Sequence, residues 1–300
     1  MRARVKLSSD VPLCMMQPSP LVSIHGGHSG EFCPHARDTL KEIIERYIEK
    51  GFAWIGLTEH APPPDSRFLF PHEVAAGWTL ERLQKQLHAY MNSAREFQKA
   101  YAEKIAIMVG LEVEGSPDCL EYSQHLIDTY RPDYFLGSIH DIEGKCFESS
   151  REFYWELAEH YGGWKALYTR YFDTQCAMIE KLRPLVVSHF DLIRMFDPDY
   201  SAHLQDADIW QKIERNLQCV KDFDLILDYN VSALRKGASE PYVSAPILRR
   251  ARELDIRVIP GDDSHGVATV GVGIPEGIAN LAQAGFDTSF PLPKFPRYGG

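Results

Sequence analysis

Hydrophobic positions along the 300-residue chain follow two rhythms. The first is a set of short apolar runs: "LVSIH" (21–25), "FAWIGLTEH" (52–60), "IAIMVGLEVE" (105–114), "YFLGSIHDI" (134–142), "PLVVSHFDLI" (184–193), "LILDYNVSAL" (225–234) and "IRVIPGDDSH" (256–265). Runs without alternation fit strands covered on both faces, as in a parallel sheet. The second rhythm is helical. Leu40, Ile43, Ile44, Tyr47 and Ile48 repeat at i, i+3, i+4, i+7 and i+8, and Gly51 follows as a stop. Leu80, Leu83, Leu87, Met91, Ala94 and Phe97 make a second stripe behind Thr79, a good N-cap. "ADIWQKIERNLQCVKDF" and "SAPILRRARELD" behave alike. Strand and helix thus alternate about seven times, which predicts parallel strands joined by helical crossovers. No internal repeat and no shift in composition divides the chain. The expected layout is an irregular arm over 1–20, a single α/β domain over 21–285 and a Pro-rich tail over 286–300.

Composition narrows the partners. The chain is 44% hydrophobic and 25% charged, an ordinary globular balance. A net charge of −10 leaves no basic excess to pair with phosphates along a nucleic acid. It still allows one small anionic substrate held by a local cation. Six cysteines stand at 14, 33, 119, 146, 176 and 219 without any C-x-x-C spacing. They read as reduced thiols, mostly filling the core; Cys33, beside His35, has a metal ligand as its less favoured reading. The opening residues lack the apolar core of a secretory signal, and no apolar run reaches the ~18 residues of a membrane span. The expected partner list is a small molecule, without nucleic acid or membrane, and the expected compartment is the cytoplasm.

Polar residues gather at one end of the runs. His25, His60, Glu112, His140 and His189 close or interrupt five of them, and the last run enters "GDDSH" with Asp263 and His265 two apart. Ligands of α/β barrels and open α/β sheets lie beyond the carboxyl ends of the strands. Six of seven strands delivering His, Asp or Glu to that end is the pattern of a metal site. His25 and His28 are three apart, a spacing that does not share a strand face. Gly26 and Gly27 between them resolve this if the chain breaks and turns there, bringing His28 back beside His25. The alternative is a plain turn that leaves His28 in solvent. His35, after Pro34, is either a ligand in the loop or the lead-in to a helix.

Taken in order, these segments resemble the PHP (polymerase and histidinol phosphatase) family of metallophosphoesterases, and its histidinol-phosphatase branch in particular. His25-Gly-Gly-His28 stands for the family's H-x-H, one residue longer, with Ser23 where the family has Asp. Cys33-Pro34-His35 matches the branch's C-x-H. Thr58-Glu59-His60, Gly110-Leu111-Glu112 and Gly137-Ser138-Ile139-His140 match three further motifs. His189-Phe190-Asp191-Leu192, the segment Asp228 to Lys236, and Asp263-Ser264-His265 complete the set. The resemblance covers about residues 21–270. It implies a distorted (β/α)7 TIM-like barrel with two or three divalent metal ions at the C-terminal ends of the strands.

The implied ligands are His25, His28, His35, His60, Glu112, His140, His189, Asp263 and His265, with Glu112 bridging. Such donors suit zinc, manganese or iron. The implied activity is hydrolysis of L-histidinol phosphate in histidine biosynthesis, by direct attack of a metal-bound hydroxide on phosphorus. Arg194, Arg235 and, less favoured, Lys236 are the expected phosphate contacts. His60, Asp263 and His265 are candidates for the acid that protonates the leaving alkoxide. Glu240 or Glu114 would meet the substrate's ammonium if they are more than surface carboxylates. His72, His88, His125, His160 and His203 are read as structural. Another small phosphomonoester, a metal-dependent amidohydrolase on an eight-stranded barrel, and a non-catalytic relic of the family are the competing readings.

Overall fold

The computed structural model describes residues 19–294. All but the last two residues of the expected arm, and positions 295–300 of the tail, lie outside the described residues. Seven parallel strands form one sheet in the order β1 (Leu21–Ser23), β2 (Phe52–His60), β3 (Ala106–Glu114), β4 (Tyr134–Ser138), β7 (Val186–Val187), β8 (Ile226–Asn230) and β9 (Arg257–Gly261). The last strand returns to the first. Ile24 N donates to Pro260 O, and Asp263 N donates to His25 O at 2.7 Å. The result is a nearly closed (β/α)7 barrel, as the apolar runs and the family resemblance predict.

Why these runs are strands is visible in their burial. Val22, Ile55, Leu57, Val109, Leu111, Leu136, Val186, Val187 and Leu227 are all fully buried. The helices form where the stripes predict. Leu40–Glu49 starts with a capping box between Thr39 and Glu42 and buries Leu40, Ile43, Ile44 and Tyr47. Burying each of its aliphatic side chains contributes roughly 1.5–3 kcal/mol, far more than its helix propensity. Leu80–Ala100, Ala207–Asp222 and Ala245–Glu253 cover the barrel in the same manner.

Several strands are shorter than their apolar runs. β7 keeps two residues, and His189 beyond it sits at φ 25°. β8 stops at Asn230, whose side chain caps Ser232 N at 3.0 Å and starts the short helix Ser232–Arg235. The run at 134–142 divides into β4 and a hairpin of β5 (Asp141–Ile142) and β6 (Lys145–Cys146), turned at Glu143 and Gly144, both with positive φ. Two helices, Arg151–Tyr161 and Trp164–Leu182, then fill the crossover to β7. Among the described residues no helix is long and apolar enough to cross a membrane.

Candidate metal centre

Register sets the centre. His60 on β2 pairs with Glu112 on β3, so both side chains leave the sheet at the same level. Glu112, buried, is ringed by imidazoles. Its Oε2 lies 3.0 Å from His60 Nδ1 and 3.3 Å from His25 Nε2. Its Oε1 lies 3.1 Å from His189 Nε2 and 3.3 Å from His140 Nε2, and accepts from Ser138 Oγ at 2.7 Å. Asp263 Oδ1 faces His28 Nε2 at 3.5 Å and His25 Nε2 at 3.8 Å.

The Gly-Gly pair makes this convergence possible. Gly27 takes φ 77°, and a Cβ on Gly26 would run into Tyr47 Oη and Asp262 Oδ1. The chain leaves the strand there, His28 N bonds to Ser264 O at 2.9 Å, and the His25 and His28 rings end 5.7 Å apart. Ser23, standing where the family has Asp, donates to Asp262 Oδ1 at 2.7 Å. The carboxylate that orients His25 comes from across the barrel: Asp228 Oδ2 is 2.8 Å from His25 Nδ1.

The donor set fits cations on a direct test. A carboxylate only accepts, so the Nδ1 atoms of His25, His28 and His140 facing Asp228, Glu59 (3.3 Å) and Glu114 (3.1 Å) carry the hydrogens. Their Nε2 lone pairs then point at the oxygens of Glu112 and Asp263. Lone pair against lone pair is repulsive unless a proton or a metal ion stands between. Accordingly His25 Nε2, His28 Nε2, His60 Nε2, His265 Nε2 and Glu112 Oε2 are buried without a hydrogen-bond partner. The donor atoms of His25, Glu112 and His189, of His25, His28 and Asp263, and of His28, His60 and Glu112 each lie within 4.8 Å of one another. A fourth group joins Cys33, His35, His60 and His265. The groups overlap: His25, His28, His60 and Glu112 each belong to two of them.

Electrostatics agree with the geometry. Burial works to lower His25, but Glu112, Asp263 and Asp228 hold its pKa well above the ordinary histidine value. Burial works to raise Glu112, but His25 and His60 hold it well below the carboxylate range. His28 is pushed down to about 3 by burial and by His60, so it stays neutral and ligand-ready.

Above the centre opens a cavity of about 370 Å³, lined by His35, His60, His140, His189, Asp263 and His265 together with Phe32, Phe70, Leu83, Leu192 and Met195. The expected phosphate contacts are redistributed. Arg194 donates to Asp191 at 3.0 Å and to the carbonyls of Glu240 and Pro241, and Arg235 donates to the carbonyls of Asp262 and Asp263. Neither lines the cavity, whereas Lys236 does. The two carboxylates suggested for an ammonium are also engaged: Glu240 by Tyr200 Oη and Ala245 N, and Glu114, largely buried rather than at the surface, by His140. Glu148 stands at the cavity wall instead, 3.9 Å from His140 Nε2. His72 is not remote, since its ring meets that of His35 edge-on at 4.3 Å. Asp191 turns to Arg194 and Ser244, and Asp141 to the hairpin turn at Gly144 N. Asp228, unassigned from the sequence, was open to detection: it lies two residues before Asn230 on one strand and so shares its face.

Comparison with known proteins meets this geometry from another side. The PHP domain family model matches residues 26–232. A "Probable histidinol-phosphatase" of Schizosaccharomyces pombe is 31% identical over 283 residues, covering 93% of this chain and 92% of the relative. A "Histidinol-phosphatase" of Saccharomyces cerevisiae is 27% identical, covering 83% of this chain and 84% of the relative. The crystal structure of histidinol phosphate phosphatase from Lactococcus lactis, complexed with Zn, L-histidinol and phosphate, superposes with a TM-score of 0.67 over 89% of this chain and 94% of that one. At 18% identity that is a likeness of fold. A family match over more than half of the sequence, a relative aligned over nearly its full length and a barrel with its polar ring at the expected strand ends lead to one assignment: this chain belongs to the PHP domain family.

Proposed function

We propose that this protein is a metal-dependent phosphatase that hydrolyses L-histidinol phosphate to L-histidinol and phosphate, a step of histidine biosynthesis in the cytoplasm, with the barrel over 21–285 as its catalytic unit. The observation that carries the reading is the ring of imidazoles around Glu112, in which His25 Nε2, His28 Nε2, His60 Nε2 and Glu112 Oε2 are buried without a hydrogen-bond partner. His25, His28, Glu112, His140, His189 and Asp263 would hold the inner ions, and His35, His60 and His265 an outer position. The relatives' names support the substrate. Divalent cations bound there, zinc, manganese or iron, supply Lewis-acid charge and lower the pKa of water.

The remaining work falls to the chain. Lys236, open to the cavity, donates its ammonium hydrogens to phosphoryl oxygens. Phe32, Phe70 and Leu83 give an apolar wall suited to an imidazole ring, and Glu148 pairs the substrate's ammonium. Of the three candidate groups at the wall for protonating the leaving alkoxide, Asp263 is held well below the carboxylate range and burial pushes His265 down to about 3. Against burial, Glu112 raises His60 and leaves it the one that carries a proton. Asp228, Glu59 and Glu114 fix the tautomers of His25, His28 and His140.

The test is phosphate release from L-histidinol phosphate by purified protein with added Mn or Zn, against a chelated control and a panel of common phosphomonoesters. Chelator-sensitive turnover that prefers histidinol phosphate is expected. Turnover confined to other esters would overturn the substrate and leave the centre standing.

A further inference from the structure

The loop after β1 carries a thiol to the outer side of the centre. Cys33 is 2% exposed, in contrast to its neighbour His35 at the cavity mouth. Its Sγ lies 3.1 Å from His35 Nδ1, and one donor atom each of Cys33, His35, His60 and His265 falls within 4.8 Å of the others. The loop is tied in place at both ends: Cys33 N bonds to Ser29 O at 2.9 Å, and Arg37 N bonds to His265 O at 3.0 Å. Two of the imidazoles already spend one nitrogen elsewhere. His265 Nδ1 is 3.0 Å from Asp263 O, and His60 Nδ1 is 3.0 Å from Glu112. Their Nε2 atoms are left buried and without a hydrogen-bond partner.

One sulfur and three imidazoles are the number and kind of donors of a closed tetrahedral zinc site. We propose that Cys33 binds, as a thiolate, the outer metal ion held by His35, His60 and His265. The inference rests on the metal-centre reading above and goes beyond it by making the sulfur a ligand. On binding, the S–H bond breaks, the metal–sulfur bond forms and the proton leaves to solvent. A soft donor at this position and none at the inner ones sorts the ions: the outer position selects zinc, cobalt or iron over manganese and magnesium. The inner positions, built from imidazole and carboxylate, stay permissive.

The experiment is optical and needs no substrate. Protein stripped of metal and reloaded with Co(II) is expected to show a thiolate-to-cobalt charge-transfer band in the near ultraviolet. Cys33→Ser removes the band and releases about one ion per chain to a weak competing chelator. The loss of affinity at that position is at least about tenfold, the effect of removing even a hydrogen-bond partner of a metal ligand. Cys146→Ser, which alters the other cavity-wall thiol, keeps the band. Fully loaded wild-type protein without the band, or a band that survives in Cys33→Ser, would overturn the proposal. Should Cys33→Ser fail to fold, the alkylation rate of Cys33 in stripped and in loaded wild-type protein, located by mass spectrometry, decides the same point: slowing on loading is expected, and an equal rate in the two forms overturns it. Failure of the substrate reading looks different, since the band then persists while histidinol phosphate is left intact.

Discussion

Asp262 and Asp263 share a peptide bond and are both buried beyond the end of β9, yet their carboxylates keep different company. Asp262 accepts from Ser23 Oγ at 2.7 Å, from Tyr47 Oη at 2.7 and 2.9 Å, and from Gly271 N. Tyr47 Oη in turn meets Ser264 Oγ at 2.8 Å. Every lone pair there has an answer, and burial lifts the Asp262 carboxyl above its ordinary range. Asp263, at φ 46°, faces the imidazoles of His25 and His28, whose Nε2 atoms have no hydrogen-bond partner. Burial would raise it, but His25, His265 and Lys236 hold it well below the carboxylate range. Satisfied buried polarity locks the barrel seam, and unsatisfied buried polarity waits for a ligand.

The largest effect should come from the unsatisfied side. Chelation, or Asp263→Asn, lowers phosphate release roughly a thousandfold, since several kcal/mol of charge stabilisation go with the ions. Metal analysis should show ions lost while circular dichroism is unchanged; retained metal with retained turnover would erase the distinction between the two aspartates. Asp262→Ala should do the reverse. Stranding the Ser23, Tyr47 and Gly271 donors costs about 1–3 kcal/mol each. For a protein of this size that lowers Tm by several degrees, at ~2–4 °C per kcal/mol, with metal content kept.

A smaller effect sharpens the view of the cavity. Lys236→Met removes a charge-assisted hydrogen bond worth about 1.5–3 kcal/mol and so raises KM by roughly ten- to a hundredfold. Arg235→Met should change KM little and lower Tm, because its guanidinium braces the carbonyls of Asp262 and Asp263. Equal KM effects would return the phosphate to the arginine. Proton linkage gives a further check. His25 and His140 hold protons above the usual histidine value, against burial, through Glu112 and its neighbouring carboxylates. Metal uptake near pH 7 must expel those protons, so affinity weakens as pH falls, by about tenfold per pH unit for each proton released. Calorimetry in buffers of different ionisation enthalpy counts them; zero proton release would contradict the opposed lone pairs. At the bottom of the scale, Lys165→Ala breaks exposed pairs with Asp206 and Asp208 and should shift stability by no more than about 1 kcal/mol, with turnover unchanged.

Much of the barrel is legible in the sequence because strands buried on both faces leave unbroken apolar runs, and capped amphipathic helices leave stripes. The polar ends are legible for a related reason: a buried His, Asp or Glu at the end of such a run has to be answered by something. The sequence names Lys236 beside Arg194 and Arg235, but which of the three opens onto the cavity was not legible. It depends on β8 ending at Asn230 and on the one-turn helix Ser232–Arg235 re-aiming the residues that follow. The hairpin at 141–146 was hidden by an apolar stretch that looks like a longer β4. Asp228 and Glu148 escaped because their partners lie far off in sequence, and a carboxylate alone carries no label.

His25 and Asp263 are joined through Asp263 N and His25 O, the clasp between the first strand and the last. A chain growing from its N-terminus at about 5–20 residues per second carries His25, His28 and Glu112 long before their counterparts exist. Unfinished chains therefore lack Asp263 and His265, and with them two of the four donor groups of the centre. The ring of donors closes only when the final strand emerges and shuts the seam, so a chain cut short of β9 keeps the Glu112 side of the centre and loses the side that Asp263 and His265 build.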